Sequence, residues 1–372
     1  NNTLGGSTAA ERNILSGNSA YGVFIYNMGT RSNVVIGNYV GTDVSGTTAV
    51  PNAVGIVVDG AAFKHRIESN IISGNLQQGI YINITGSDST SIIKNKIGVN
   101  ATSNPLGNGS DGIRISQGPK YSLIGGSPTE ANTIAHNGGN GVYIMFPNDD
   151  KHLISCNSIY SNGGLGIDLF PLGVNPNDAG DADSGPNEEL NYPEIDTVIF
   201  VAGSNTTIIS GTLDTQNPSS VSIQIYRAIP DLSGHGQGIE YLSTVTPDAA
   251  GNWSDTLSGL TITDFLTTIA IDVNNNTSEF SIARNMNAIA SVADNALSNG
   301  ILIYPNPTDG TFTVSGNGMR QIDVLNSNGQ LVKTIRASSN RTRVDISDQS
   351  EGIYFIRTYT QNGVANSKVV LN

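Results

Sequence analysis

Six asparagines, Asn13, Asn38, Asn70, Asn95, Asn132 and Asn157, recur at intervals of 25, 32, 25, 37 and 25 residues. Each opens a short apolar step, from Asn13-Ile-Leu to Asn157-Ser-Ile. A second step, Gly-[Val/Ile]-x-[Ile/Val/Leu], follows at Gly22, Gly55, Gly79, Gly112, Gly141 and Gly166. The spacing from Asn to Gly is 9, 17, 9, 17, 9 and 9 residues, so one unit repeats six times and two copies carry an insertion. Self-similarity at this period is the signature of a solenoid. Its elements are strands, because Val23 and Ile25, Ile56 and Val58, and their counterparts down to Ile167 and Leu169 alternate with period two. Residues 1–170 show no sustained 3.6 periodicity, and Gly, Asn and Ser interrupt them too often for a helix. Short strands stacked by repetition predict a parallel β-helix of about six turns, roughly 4.8 Å apart. The recurring Asn predicts a structural ladder, with each amide bonded to its neighbours and each backbone suited to the left-handed conformation of a tight turn.

Segments such as Asn70-Ile-Ile-Ser-Gly-Asn75 and Gly79-Ile-Tyr-Ile82 make residues 1–170 resemble the right-handed parallel β-helix repeat proteins of bacteria. The resemblance implies the fold and its hand. It does not imply an activity, because the scaffold hosts lyases, hydrolases, adhesins and inert spacers. The chain opens with Asn1-Asn2-Thr-Leu-Gly-Gly-Ser, which matches Ser122-Leu-Ile-Gly-Gly-Ser127, so further repeats are expected upstream.

The net charge of −13 argues against nucleic acid and anionic lipid as partners. No run of eighteen apolar residues exists to span a membrane. A charged fraction of only 13%, with 43 glycines, fits a β-rich and turn-rich extracellular chain. The single cysteine, Cys156, reads as a small buried thiol.

The rhythm stops after Leu169. Residues 171–196 hold Asp178, Asp181, Asp183, Glu188, Glu189, Glu194 and Asp196 without a Lys or Arg. Either this is a solvated acidic linker, or Asp178, Asp181 and Asp183 bind a structural Ca²⁺ through hard oxygen ligands. Residues 197–283 form a second β pattern, with strands expected at Ile208–Leu213, Val221–Tyr226, Tyr241–Val245, Trp253–Leu257 and Thr268–Val273. This segment resembles the bacterial immunoglobulin-like modules that follow such coils. Trp253 is expected in its core, and His235 in a flexible loop unsuited to a metal. Residues 284–299 read as a linker.

In residues 300–372 the segments Ile301–Val314, Ile322–Val332, Gly352–Arg357 and Lys368–Asn372, read as alternating strands around turns at Asn328-Gly329 and Asn362-Gly363, predict a small β-sandwich. The Tyr304-Pro-Asn-Pro-Thr-Asp-Gly310 start and the Gly352-Ile-Tyr…Lys368-Val-Val end make it similar to the C-terminal sorting domain of the type IX secretion system of Bacteroidetes. That resemblance implies the secretion machinery as a partner and an extracellular or outer-membrane-surface location. It also implies removal of the domain, with cleavage expected in 284–299. The fold class is thus all-β: a parallel β-helix followed by two small β-sandwiches.

No Gly-x-Ser-x-Gly, phosphate loop or His/Cys metal set is present. The residues between the inward pairs, Phe24, Val57, Tyr81, Arg114, Tyr143 and Asp168, should face outward, with Tyr26, Asp59, Asn83, Ser116, Met145 and Phe170 beside them. Asp59 and Asp168 stand four turns apart, roughly 19 Å, too far for glycoside hydrolysis. Loop acids such as Asp43 and Asp111 could approach Arg114, but nothing converges in sequence. The face carries Phe24, Tyr26, Tyr81, Tyr143 and Phe170, rings of the kind that stack on sugars. The leading expectation is a secreted or cell-surface, non-catalytic structural or adhesive protein whose β-helix binds glycans or other surface proteins through a face formed by Phe24, Tyr26, Tyr81, Arg114, Tyr143, Asp168 and Phe170, and whose end stacks on upstream repeats or self-assembles with neighbouring chains. The alternative is a β-helix polysaccharide lyase or glycoside hydrolase.

Overall fold

The computed structural model describes residues 1–201, 206–286, 301–326, 330–337, 339–361 and 363–372. They divide into two compact units, the first taking in residues 1–200 and 206–286 and the second Val201 and the described residues from Ile301 on. The described residues are all-β, with three short 3-10 turns and no α-helix. No helix is long and apolar enough to cross a membrane.

The first unit begins with three parallel six-stranded sheets, the walls of a β-helix. One sheet is the Asn step, from Ile14–Leu15 to Ser158–Tyr160, and another is the Gly step, from Tyr21–Ile25 to Ile167–Leu169. The third precedes each Asn, from Thr3–Gly5 to Leu153–Ser155, and has no fixed residue to announce it. Register is strict: Ile56, Ile80, Ile113, Val142 and Ile167 stack in one column, and Val58, Ile82, Ile115, Ile144 and Leu169 in the next. All ten are at most 1% exposed. Each contributes on the order of 1.5–3 kcal/mol by leaving water.

The asparagine ladder forms as expected. Backbone N and Nδ2 of Asn13 donate to Oδ1 of Asn38, and the pattern continues through Asn70, Asn95 and Asn132 to Asn157. One detail differs. The left-handed residue is not the Asn but the one before it: Gly37, Ser69, Lys94 and Cys156 have φ of +71, +56, +57 and +59°. A second ladder, unforeseen, runs through Asn18, Asn52, Asn75, Asn108, Asn137 and Asn162 at the next corner. The two insertions fold as small loops that touch one another, Ala101 N donating to Gly46 O at 2.9 Å.

The sixth coil is closed by the antiparallel sandwich that follows. Its sheets are Glu194–Val201, Thr206–Thr212 and Asn252–Ser258 on one side, and Gly236–Val245, Ser222–Pro230, Phe265–Ile271 and Arg284–Asn285 on the other. A bare coil end would leave a row of unpaired N–H groups. Here side chains accept them. Ile154 N donates to Thr277 Oγ1, Cys156 N to Gln224 Oε1 and Tyr226 OH, Asn162 N to Gln237 Oε1, and Leu169 N to Glu279 Oε1, all at 2.9–3.0 Å. Tyr226, Ile269 and Phe280 complete the β-helix core. The expected stacking of neighbouring chains therefore has no open surface at this end.

Trp253 is buried in the sandwich core with Ile209, Ile223 and Leu266, and Cys156 is a buried free thiol. His235 is not in a flexible loop: it is buried, with Nδ1 2.7 Å from Phe280 O and an edge-to-face contact to Tyr192. The segment 171–196 is not a free linker, because Asn187 and Asn191 are buried and bonded on both sides of it and Leu190 enters the sandwich core. The expected linker 284–299 starts late. Arg284–Asn285 pairs with Phe265 and Leu266, and Met286 is in the core. The rest of that linker, including the expected cleavage region, and Asn328, Gly329 and Asn362 lie outside the described residues.

The second unit is a sandwich of a three-stranded sheet, Leu302–Tyr304, Thr311–Ser315 and Arg341–Asp345, and a four-stranded sheet, Leu331–Arg336, Met319–Leu325, Gly352–Thr360 and Gly363–Leu371. Its opening and closing motifs meet. Asn306 Nδ2 donates to Lys368 O, and Val370 N donates to Asn306 Oδ1, both at 2.9 Å.

Candidate functional site

The outward column of the Gly-step sheet is in the expected register, Phe24 beside Val57, Val57 beside Tyr81, then Arg114, Tyr143 and Asp168. It is not one open face. Phe24 and Tyr26 are 46% and 54% exposed, and together with Tyr21 they form a chain of ring contacts 4.8 and 4.9 Å between centroids. Tyr81 is half-buried and donates to Asn83 Oδ1. Val57, Tyr143 and Asp168 are buried. Phe170 is exposed. The aromatic row expected from the sequence is therefore broken into a cluster on the first coil and a covered stretch on the fifth and sixth.

The covered stretch adjoins a cleft of about 500 Å³, lined by Asp111, Arg114, Asn140, Asp168, Leu172 and Leu232 among others. Its floor is bare backbone. Gly138-Gly139 and Gly163-Gly164 occupy equivalent places on successive coils, and a Cβ at Gly163 would lie 2.3 Å from Gly138 O. Close stacking of the turns demands glycine there, and an uncluttered floor is the consequence.

Asp111, just ahead of the Gly step, is the acid that does converge on Arg114. Its Oδ2 accepts Arg114 Nε at 2.7 Å and Nη2 at 2.5 Å, and its Oδ1 accepts Asn140 N at 2.9 Å. Arg114 Nη2 also reaches Ser110 Oγ, and its guanidinium lies 5.8 Å from the Tyr143 ring centre. Asn140 repeats the motif one coil on, its Oδ1 accepting Leu165 N. Asp168 is two rungs from Arg114 and only 1% exposed, with long bonds of 3.3–3.4 Å from Gly173 N. Burial pushes its carboxyl up to about 7, opposed by the Gly173 N–H and the Asn140 amide and reinforced by Asp111. Burial also raises the Tyr143 phenol, and Asp168 adds to that.

The chemistry available is thus one saturated carboxylate, one guanidinium committed to it, the buried Asp168 carboxyl raised by burial, and the Asp231 carboxylate, whose Oδ1 accepts Ser233 N and Oγ. Hydrolysis by two carboxylates needs both to be free for acid and base roles. Asp111 is not. Sequence reasoning missed Asn140, Leu172 and Leu232. The first had a signal, since Gly109-Ser-Asp111, Gly138-Gly-Asn140 and Gly163-Gly-Leu165 all precede the Gly step.

Asp178, Asp181 and Asp183 offer carboxylate oxygens within 4.8 Å of one another. A Ca²⁺ contacts oxygens at about 2.3–2.6 Å, so ligands across it stand up to about 5 Å apart. The donor set fits. Asp178 accepts Ala182 N and Asp181 accepts Asn191 N, which fixes both carboxylates. Burial, then Asp183 and Asp178, pushes Asp181 up to about 6, and Asp183 is raised by burial and by Asp178. Among the described residues no ion pair relieves the group.

Residues 302–372 match the family described as the secretion system C-terminal sorting domain. The chain is exported through the type IX secretion system of Bacteroidetes to the cell surface or the extracellular space, and that machinery is its partner. No curated protein is significantly similar to the sequence. Similar solved structures include the BSP domain of a biofilm associated protein, at 12% identity and TM-score 0.21 over 50% of this chain and 30% of that one. The fibronectin(III)-like modules of Clostridium thermocellum CbhA follow at 14% and 0.20, over 48% and 94%. Dimeric latent PorU from Porphyromonas gingivalis follows at 13% and 0.17, over 49% and 20%. At these scores the likenesses carry no argument.

Proposed function

We propose that this secreted chain is a non-catalytic surface protein whose β-helix binds a glycan in the cleft beside Arg114 and Asp168, with a structural Ca²⁺ held by Asp178, Asp181 and Asp183. The observation that carries this reading is the saturation of Asp111. Its three donors take the carboxylate beside Arg114 out of acid–base work, and the other carboxyls of the cleft, Asp168 accepting from Gly173 N and Asp231 from Ser233 N, are suited to orienting a ligand hydroxyl. The exposed Tyr21, Phe24 and Tyr26 cluster on the first coil supplies a second contact surface of the type that stacks on sugar rings. The sandwich of residues 194–286 acts as an immunoglobulin-like support that closes the coil.

The test uses the full chain on immobilised glycans, with reducing-end and unsaturated-product assays in parallel. Retention without product is expected, and Asp168→Ala should weaken retention. One observation favours an enzyme: Asp168, raised to about 7, is a competent general acid. Product formation abolished by Asp168→Asn would establish that second reading and overturn the first.

A further inference from the structure

We propose that the cleft selects a neutral pyranose unit and rejects uronate or sulfated sugars, an inference that rests on the glycan-binding reading above. Arg114 is the cation of the cleft among the described residues, and two bonds to Asp111 and one to Ser110 already hold it. Three carboxyl groups, Asp111, Asp168 and Asp231, line the same space. An anionic sugar entering it would lose hydration without gaining a free cation, and would meet Asp231, which has no ion-pair partner among the described residues.

A second observation comes from the rim of the cleft, which is apolar. Leu172 is 72% exposed and Leu232 fully exposed, standing on two separate loops that both line the cleft. Large exposed apolar side chains at one cleft suit the C–H face of a pyranose ring.

The experiment is affinity electrophoresis of the full chain against neutral glycans (mannan, galactan, xylan, mixed-linkage glucan) and anionic ones (polygalacturonate, alginate, a sulfated galactan), at one calcium level throughout. At least one neutral glycan is expected to retard the protein at least tenfold more strongly than any anionic one. Leu232→Ala and Leu172→Ala should each cut that retardation several-fold. Leu232 is fully exposed, so its truncation leaves the fold intact, which circular dichroism checks. Stronger retardation by an anionic glycan would overturn the selectivity while leaving the glycan-binding reading in place. Neutral-glycan binding unaltered in both variants would move the site away from this cleft and overturn the inference. Retardation by none of the panel would sink the glycan-binding reading together with it.

Discussion

The first unit contains two groups of acids that the fold treats in opposite ways. Beside the Gly-step sheet, Asp111 is met by Arg114 and Asn140, and Asp168 escapes repulsion by holding its proton. In the segment after the coil, Asp178, Asp181 and Asp183 crowd within 4.8 Å, and no ion pair reaches them among the described residues. The first group is neutralised from within and so can face a ligand. The second has no such internal partner among the described residues. Carboxylates close together repel unless a cation or a proton intervenes, and which of these the chain supplies separates a binding surface from a metal site.

The strongest way to break the contrast is to remove the internal cation. Arg114→Ala leaves Asp111, whose side chain is 4% exposed, as an uncompensated buried charge. Breaking one side of such a pair costs about 3 kcal/mol. The denaturation midpoint of the first unit should fall accordingly. Asp111→Asn added to Arg114→Ala should recover most of the loss, since the remaining amide carries no charge and still accepts Asn140 N. Failure of the double variant to recover would mean that Arg114 acts by packing rather than by neutralising Asp111.

The second group should respond to an added cation rather than to a lost one. Calcium at about a hundredfold over its dissociation constant stabilises by about 2.7 kcal/mol. The melting temperature should rise with calcium, rise less with magnesium, which requires a stricter octahedral site, and stay flat in Asp181→Asn with Asp183→Asn. A wild-type chain whose melting is indifferent to calcium would remove the metal from the proposal and return Asp178, Asp181 and Asp183 to surface acids.

The first Asn ladder was legible because one residue type recurs at one phase of every repeat. The second ladder uses the same residue but falls after the insertions, so its spacings of 34, 23, 33, 29 and 25 conceal it. The third sheet has its own corner bonds, where Asn33 N donates to His65 Nδ1 and Ser122 N to His152 Nδ1. There the acceptor changes chemical type from coil to coil, and only geometry reveals the equivalence. The closing of the sixth coil was hidden for another reason. Gln224, Gln237, Thr277 and Glu279 lie more than 60 residues from the strands whose N–H groups they accept, and nothing in a polar strand residue advertises that use. The cleft was half legible: its Arg114 to Asp168 column followed from period two, whereas Leu172 and Leu232 come from loops that no periodicity governs.

The smallest expected effect is a pH dependence that isolates Asp168. Its carboxyl is raised from 3.8 to about 7 by burial, so the folded state holds a proton that the unfolded chain has released. The stabilisation is therefore fully present below 3.8 and is lost as pH rises through about 7. Between roughly pH 6 and 8 the folded state gives up that proton, which amounts to about 1.4 kcal/mol of stability. Asp168→Asn has no proton to lose and should show a flatter profile over the same interval. Glu279, raised to about 8 by burial with Asp168 contributing, titrates nearby in both proteins, so the difference between the two profiles is the informative quantity. Parallel profiles would mean that Asp168 is ionised at neutral pH in the folded chain. The cleft would then hold an uncompensated charge like that of the Asp178 group, and the distinction between a self-neutralised site and one completed by a cation would no longer separate the two regions.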